Sequence, residues 1–193
     1  GDGTFGTAAT LDATNQLRLY SQDNFGDDLI FCPRAGSIYY WDESSGTSTR
    51  AVDFSSLGSA SNTPTKCLQI MVSDVDRHII AFGSNPIGSS TLDPLLVRWS
   101  DQESAVDWTP TSTNSSGGVK ISSGSKIVGA LRTRQEILIW TDSALHSMRF
   151  VGAPFIFSFN ELKAGASMMS PNAAVNANGM VYFMDRGGFF TYS

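Results

Sequence analysis

The fold is decided by Ile137-Leu138-Ile139-Trp140, which a turn at Asp142-Ser143 connects to Leu145-His146-Ser147-Met148-Arg149-Phe150. Four consecutive apolar residues are typical of a strand that is covered on both faces. Asp and Ser favour turns, because their side chains bind nearby backbone groups. The second run is more polar, as expected of a strand nearer solvent. We therefore predict a β-hairpin here.

The same pattern of an apolar run, a turn and a second run recurs at 29–41, 79–99 and 180–192. The four hairpins begin near residues 28, 78, 136 and 180, at intervals of 50, 58 and 44 residues. Repetition at about 40–50 residues is the period of a β-propeller blade. Further strands expected at 66–72 and 126–132 give each interval roughly four strands, as a blade requires.

We therefore predict an all-β protein in which residues 1–193 form a partial β-propeller of about three to four blades, with no separate second domain. A β-sandwich is the alternative, but its strands should alternate apolar and polar residues. The runs at 137–140 and 180–184 are instead apolar throughout. Because the first residue is not Met and the last residues continue a strand, we expect a fragment of a longer chain that completes the ring.

Composition excludes several classes of protein. The 193 residues include 42 Ser and Thr and 18 Gly, which suits short strands joined by turns. A net charge of −5 argues against a protein that grips nucleic-acid phosphates. The apolar runs are far shorter than the roughly 20 residues of a membrane span, so none is predicted. Two cysteines are too few for a disulfide framework or a thiolate metal site.

Charge is unevenly distributed along the chain. Residues 1–107 carry a net charge of −8, whereas residues 108–193 carry +3. Such a division can mark two surfaces that meet neighbouring subunits. A chance distribution of solvated loop charges explains it equally well.

The most distinctive local sequence follows the strand that ends at Trp99. Ser100, Asp101 and Trp108 resemble the Asp-box hairpin of sialidase-type propellers, although Asp follows Ser directly and the usual Gly is missing. In that family the motif is a structural turn away from catalysis, and we predict the same role here. Asp101 and Glu103 as paired catalytic carboxylates are the alternative.

Other polar residues give weaker signals. Asp74 and Asp76 form a D-x-D pair that suits a calcium ligand, but a polar hairpin turn explains them more simply. His78 and His146 lack metal-ligand spacing and are interpreted as ordinary strand residues. A charged turn at 132–136 is interpreted as a solvated hairpin tip. We therefore assign no catalytic, cofactor-binding or metal-binding residue, expect no cofactor, and predict that the protein is not an enzyme.

Three segments resemble the tail nozzle, or tail tubular, proteins of short-tailed bacteriophages. They lie at 98–110, 133–155 and 181–190, within a similarity that spans most of the chain and is strongest from residue 75 onward. The resemblance implies a structural protein of the virion tail that is built around a β-propeller.

The resemblance also implies partners. Nozzle proteins of this kind form a six-fold homo-oligomeric ring below the adaptor and portal and meet tail fibre or spike proteins. They surround a channel through which DNA passes without specific binding, and a negative lumen suits that passage. The alternative function is a carbohydrate-binding or glycan-hydrolysing, sialidase-like propeller.

Overall fold

The computed structural model describes residues 19–73 and 75–193, and these residues form antiparallel β-sheets. Two short 3-10 helices, Glu43–Ser45 and Phe54–Ser56, follow the aspartates Asp42 and Asp53, whose carboxylates accept from the backbone N–H groups of Ser44 and Ser55. The described residues include no helix with the length and apolar content of a membrane span. The part of the predicted propeller segment that falls on residues 1–18 lies outside the described residues.

The strands of each sheet are consecutive in the chain and every pair is antiparallel. The first sheet contains β1 (Tyr20–Phe25), β2 (Asp28–Pro33), β3 (Tyr39–Trp41) and β4 (Val52–Asp53). The second contains β5 (Cys67–Val72), β6 (Ile79–Ser84), β7 (Leu96–Trp99) and β8 (Gly117–Lys120). The third contains β9 (Ile127–Arg132), β10 (Ile137–Thr141), β11 (Ala144–Gly152) and β12 (Ile156–Ala164). The fourth contains β13 (Ala174–Ala177), β14 (Met180–Asp185) and β15 (Gly188–Tyr192).

This arrangement confirms the all-β class and all four predicted hairpins, which are β2–β3, β6–β7, β10–β11 and β14–β15. The two additional strands expected at 66–72 and 126–132 are β5 and β9. Each is the first strand of its sheet, so each predicted hairpin supplies the second and third strands. The polar strand β1, with sequence Tyr-Ser-Gln-Asp-Asn-Phe, was not anticipated.

Three apolar layers join the sheets face to face. The layer between the first and second sheets contains Ile30, Cys32, Cys67, Ile70, Ile79 and Trp108, among others. The layer between the second and third contains Met71, Ile80, Phe82, Val97, Trp99, Ile137 and Ile139, among others. The layer between the third and fourth contains Leu138, Trp140, Leu145, Met168, Val181 and Phe183. Full burial of one large apolar side chain stabilises the folded state by about 1.5–3 kcal/mol, so these layers hold the sheets together.

The runs at 79–82 in β6 and 137–140 in β10 are apolar throughout because each supplies two layers at once. Successive side chains of a strand point to opposite faces, so Ile137 and Ile139 enter one layer while Leu138 and Trp140 enter the next. All five residues of β10 are buried. The run at 180–184 was also expected to be covered on both faces, and that expectation is wrong for the described residues. In β14, Val181 and Phe183 are buried but Met180 and Tyr182 are exposed, because the described residues place a sheet on one face only.

Candidate functional site

The Asp-box-like turn begins where β7 ends. Ser100 exchanges two hydrogen bonds with Ile79 at the start of β6: its N–H donates to the Ile79 carbonyl at 2.9 Å, and its Oγ accepts from the Ile79 N–H at 3.0 Å. The Asp101 N–H donates to the Asp107 carbonyl at 2.8 Å, which closes the turn. Ser104 Oγ accepts from the N–H groups of Val106 and Asp107. The turn is therefore fastened to the second sheet by backbone and hydroxyl groups.

Trp108 packs beneath this turn, in the layer between the first and second sheets. Its side chain is 1% exposed, and its Nε1–H donates to the Ala105 carbonyl at 3.0 Å. The ring of Phe54 meets it edge-on at 6.0 Å, and the guanidinium of Arg98 lies 5.8 Å from its ring centre. Arg98 also donates to the Trp108 carbonyl, and burial lowers the pKa of Arg98 to about 10. The tryptophan thus anchors the turn to the first sheet.

Asp101 points away from its own turn and binds the loop before β8. Its Oδ1 accepts from the N–H of Ser115 at 2.7 Å and from Ser115 Oγ at 2.6 Å. Burial raises the pKa of Asp101, but the hydrogen bonds from Ser115 outweigh it, so this pKa lies below its ordinary value. Ser115 was not singled out from the sequence, because its partners lie 14 and 37 residues away.

A polar chain continues from Ser115 into the protein. Nε2 of His78 lies 2.8 Å from Ser115 Oγ, and Nδ1 of His78 is hydrogen-bonded to Asp76 Oδ2. Asp76 also accepts from Ser73 Oγ. The side chains of His78 and Asp76 are 0% and 1% exposed. The hydrogen-bonded chain from Asp76 through His78 to Ser115 joins the same three residue types, in the same order of contacts, as the catalytic triad of serine hydrolases.

The hydrogen bonds of Ser115 are nevertheless opposite to those of a nucleophile. A catalytic serine gives its hydroxyl hydrogen to histidine. Here Ser115 Oγ donates to the Asp101 carboxylate and accepts from the N–H of Gln102 at 3.0 Å. Its single hydrogen is then used, so His78 Nε2 must be the donor in the remaining contact. This pattern suits a chain of hydrogen bonds that holds the loop before β8 rather than one that activates Ser115.

The remaining sequence candidates are distributed among separate contacts. Asp74 lies outside the described residues, and its D-x-D partner Asp76 is bound to His78. Glu103 forms an ion pair with Arg77 at 2.7 Å, so Asp101 and Glu103 are directed to different partners. Among residues 19–73 and 75–193, no group of three or more His, Cys, Asp and Glu side chains is placed to hold a metal ion.

The last two candidates from the sequence are His146 and the charged turn at 132–136. The imidazole of His146 is buried in β11, where burial lowers its pKa, and its Nε2 lies 3.8 Å from Glu161 Oε2. Arg132 and Arg134 line a cavity of about 380 Å³ beside Phe150 and Phe157. The residue that closes this turn, Glu136, is buried rather than solvated.

Glu136 joins the third and fourth sheets. It accepts from Arg149 Nε at 2.9 Å, from Ser147 Oγ, and from the Tyr192 hydroxyl at 2.6 Å. Burial opposes ionisation of this carboxyl, but the bonds from Arg149, Ser147 and Tyr192 outweigh it and lower the pKa of Glu136. One carboxylate, at the residue that precedes β10, therefore binds side chains of both β11 and β15.

A second cavity, of about 500 Å³, lies between the first strands of the sheets. Its polar lining includes Gln22, Asp23, Arg34, Gln69, Arg132 and Asn172. Strands β1, β5 and β9, together with the segment that leads into β13, surround it. We call it the axial cavity.

Side chains rather than a backbone ladder connect the strands around the axial cavity. Gln69 of β5 makes two bonds to Ala130 of β9: its Nε2 donates to the carbonyl at 2.7 Å and its Oε1 accepts from the N–H at 2.8 Å. Ser21 and Asp23 of β1 accept from the N–H groups of Ile70 and Val72 in β5, each at 2.9 Å. The polar sequence of β1 is explained by these bonds.

The two arginines of the axial cavity are also engaged with the strands. Arg34 donates to the carbonyls of Leu68 and Ile127 at 3.3 and 3.2 Å, and burial lowers its pKa. Arg132 donates to Asp23 Oδ2 at 3.0 Å. These guanidinium groups bind neighbouring strands to one another, so the cavity is a junction of sheets. A comparison with protein-family models and a comparison with curated proteins each found no match for this chain.

Proposed function

We propose that the chain is a β-propeller segment that serves as a structural component of the tail nozzle of a short-tailed bacteriophage. The observation that carries the proposal is the order of the sheets. Within the residues that the structure describes, four sheets follow one another and each is a meander. The first strands of the first three sheets border one axial cavity, and the segment leading into the fourth sheet lies at the same border. Blades of a propeller are arranged in this way around a central channel.

The segments that resemble nozzle proteins support a structural role. Residues 133–155 include β10 and β11, whose side chains fill two apolar layers. Residues 98–110 include the turn anchored by Trp108, and residues 181–190 include most of β14 and β15. The similar residues are therefore those that pack sheets and fasten turns, as expected where the shared property is assembly.

The net charge of the chain is compatible with a location beside a channel through which DNA passes. The chain carries 18 acidic and 13 basic residues, for a net charge of −5. A protein that binds DNA through its phosphates presents clustered Lys and Arg. A negatively charged wall repels the phosphates instead, so DNA slides past without being retained.

Native mass spectrometry and negative-stain imaging of the purified chain test the proposal. We expect rings of six copies, the number implied by the resemblance, and no retention of duplex DNA at physiological salt. A glycan array and a fluorogenic sialoside are the matched test of the alternative function. A stable monomer that binds or hydrolyses a glycan would contradict the nozzle proposal.

A further inference from the structure

The two cysteines of the chain meet where the first sheet packs on the second. Cys32 lies near the end of β2, and Cys67 begins β5. Both side chains are fully buried, and their sulfur atoms lie 3.3 Å apart. Both are free thiols in this structure. Since the two residues are 35 positions apart in the sequence, only the packing of the two sheets brings them together.

Backbone hydrogen bonds hold Cys67 beside the turn that follows Cys32. The Ala35 N–H donates to the Cys67 carbonyl at 2.8 Å, and the Cys67 N–H donates to the Gly36 carbonyl at 3.4 Å. Gly36 and Cys67 thereby form an antiparallel β-bridge between the two sheets. The main chain therefore keeps the two sulfurs close, because it fixes the positions from which both side chains extend.

We propose that Cys32 and Cys67 form a reversible intramolecular disulfide, which cross-links the first and second sheets when the chain meets an oxidising low-molecular-weight disulfide. A disulfide bond is about 2 Å long, so the two sulfurs must approach each other by about 1.3 Å. Rotation about the Cα–Cβ bonds of the two residues moves the sulfurs over such a distance. The inference goes beyond the proposed function and does not depend on it.

The reaction is a thiol–disulfide exchange in which oxidised glutathione is the oxidant. The Cys32 thiolate attacks one sulfur of oxidised glutathione, whose S–S bond breaks and releases one glutathione thiolate. The Cys67 thiolate then attacks the Cys32 sulfur, and the second glutathione thiolate leaves. The two released thiolates take up the two protons that the cysteines lose. Two cysteine thiols are thus oxidised, and one glutathione disulfide is reduced to two thiols.

The surroundings of the pair favour Cys32 as the first nucleophile. The Cys67 thiol donates a hydrogen bond to the Cys32 sulfur, which lowers the pKa of Cys32. Burial raises the pKa of Cys67. Because the thiolate is the reactive form of cysteine, Cys32 reacts with the oxidant and Cys67 then displaces glutathione from it.

Glutathione does not reach the sulfurs while the layer between the first and second sheets is closed, because both cysteines are fully buried. Exchange therefore begins when this layer opens. A glutathione adduct on Cys32 keeps the layer open, and attack by Cys67 removes the adduct and lets the layer close. The surrounding apolar side chains, which include Ile30, Ile70 and Ile79, then shield the bond from reducing thiols.

Mass spectrometry of the full chain tests the proposal. The chain is reduced with a phosphine and incubated with oxidised glutathione in urea below the unfolding transition. Incubation continues until N-ethylmaleimide has labelled both cysteines of a parallel sample. We expect a single chain that is lighter by two hydrogen atoms and has no thiol left for N-ethylmaleimide. Trypsin digestion should then give peptide 19–34 joined to peptide 67–77 through the bond.

The melting temperature shows whether the fold accommodates the bond. Because a cross-link restricts the unfolded chain, the oxidised chain should melt about 5–15 °C above the reduced chain, and dithiothreitol should reverse the shift. Cys32→Ala and Cys67→Ala are the matched controls, since each leaves a single cysteine. Each variant is compared with itself in oxidising and reducing buffer, so its own change in stability cancels. Neither variant should melt higher in the oxidising buffer.

Two results would overturn the inference. One is a wild-type chain that keeps both thiols, carries only glutathione adducts, or is joined only to a second chain after both cysteines have become accessible. The other is an oxidised chain that melts at or below the temperature of the reduced chain, because the packed sheets would then not fit the bond. Neither result bears on the nozzle proposal, which is tested by ring assembly and glycan binding.

Discussion

The third and fourth sheets share one apolar layer, yet their central strands have opposite surroundings. In the third sheet all five residues of β10 are buried, since a sheet lies on each side of it. In the fourth sheet β14 alternates between buried and exposed residues. The two sequences, Ile-Leu-Ile-Trp-Thr and Met-Val-Tyr-Phe-Met-Asp, are similarly apolar. An apolar run therefore indicates a strand but does not reveal how many of its faces are covered.

The largest effect should come from a residue between two covered faces. Phe82 in β6 is fully buried in the layer between the second and third sheets. We expect Phe82→Ala to lower the free energy of unfolding by about 3–5 kcal/mol, because it removes apolar contacts and leaves a cavity. Tyr182→Ala, on the exposed face of β14, should change it by less than about 0.5 kcal/mol. Urea denaturation of both variants measures the two changes in the free energy of unfolding. Equal losses would show that the outer face of β14 is covered as fully as the faces of β6.

A smaller effect should follow from separating two first strands. Gln69→Leu removes both hydrogen bonds to Ala130 and leaves that peptide without its partners beside the axial cavity. We expect a loss of about 1–3 kcal/mol in the free energy of unfolding. Gln22→Leu is the matched control, because Gln22 lies on the exposed side of β1. Similar unfolding midpoints for the two variants would show that the hydrogen bonds of Gln69 do not stabilise the contact between the second and third sheets.

The contact between the third and fourth sheets should depend on pH through Glu136. Its pKa is lowered in the folded chain, so the ionised form stabilises the fold. That stabilisation is complete above the ordinary glutamate pKa of 4.5 and is lost as the pH falls through the lower folded value. We expect Glu136→Gln to cost about 1–2 kcal/mol at neutral pH and to flatten the dependence below pH 4.5. Thermal melts from neutral to acidic pH measure both, with Glu43→Gln, an exposed glutamate, as the control. Parallel pH profiles for Glu136→Gln and the wild type would argue against this role.

Chemical labelling of the two cysteines is the weakest perturbation, and it reports on the first sheet without any substitution. Cys32 and Cys67 are free and fully buried in the layer between the first and second sheets, with their sulfurs 3.3 Å apart. Burial raises the pKa of Cys67, which further slows its alkylation. We expect slow labelling of the native chain, with unlabelled and doubly labelled species predominating in mass spectra, because one adduct prevents the layer from closing again. Rapid single labelling would show that the two cysteines are exposed independently.

The sequence predicted those parts of the fold in which local pattern and burial agree. The apolar runs of β6 and β10, the turns that follow them, and the neighbouring strands β5 and β9 could be identified from the residues alone. Strand β1 could not, because Ser21 and Asp23 face other strands with hydrogen-bonding groups rather than apolar ones. The polar chain from Asp76 to Ser115 was also missed. His78 and Ser115 are 37 residues apart, and only the packing of β6 beside the loop before β8 brings them together.

The consecutive order of strands in every sheet has a consequence for synthesis of the chain. Among residues 19–73 and 75–193, each strand pairs only with strands adjacent to it in sequence, so no sheet has to wait for a strand from a later sheet. The strands of one sheet can therefore pair as soon as they have left the ribosome, and the apolar face of that sheet is covered once the next sheet has been synthesised.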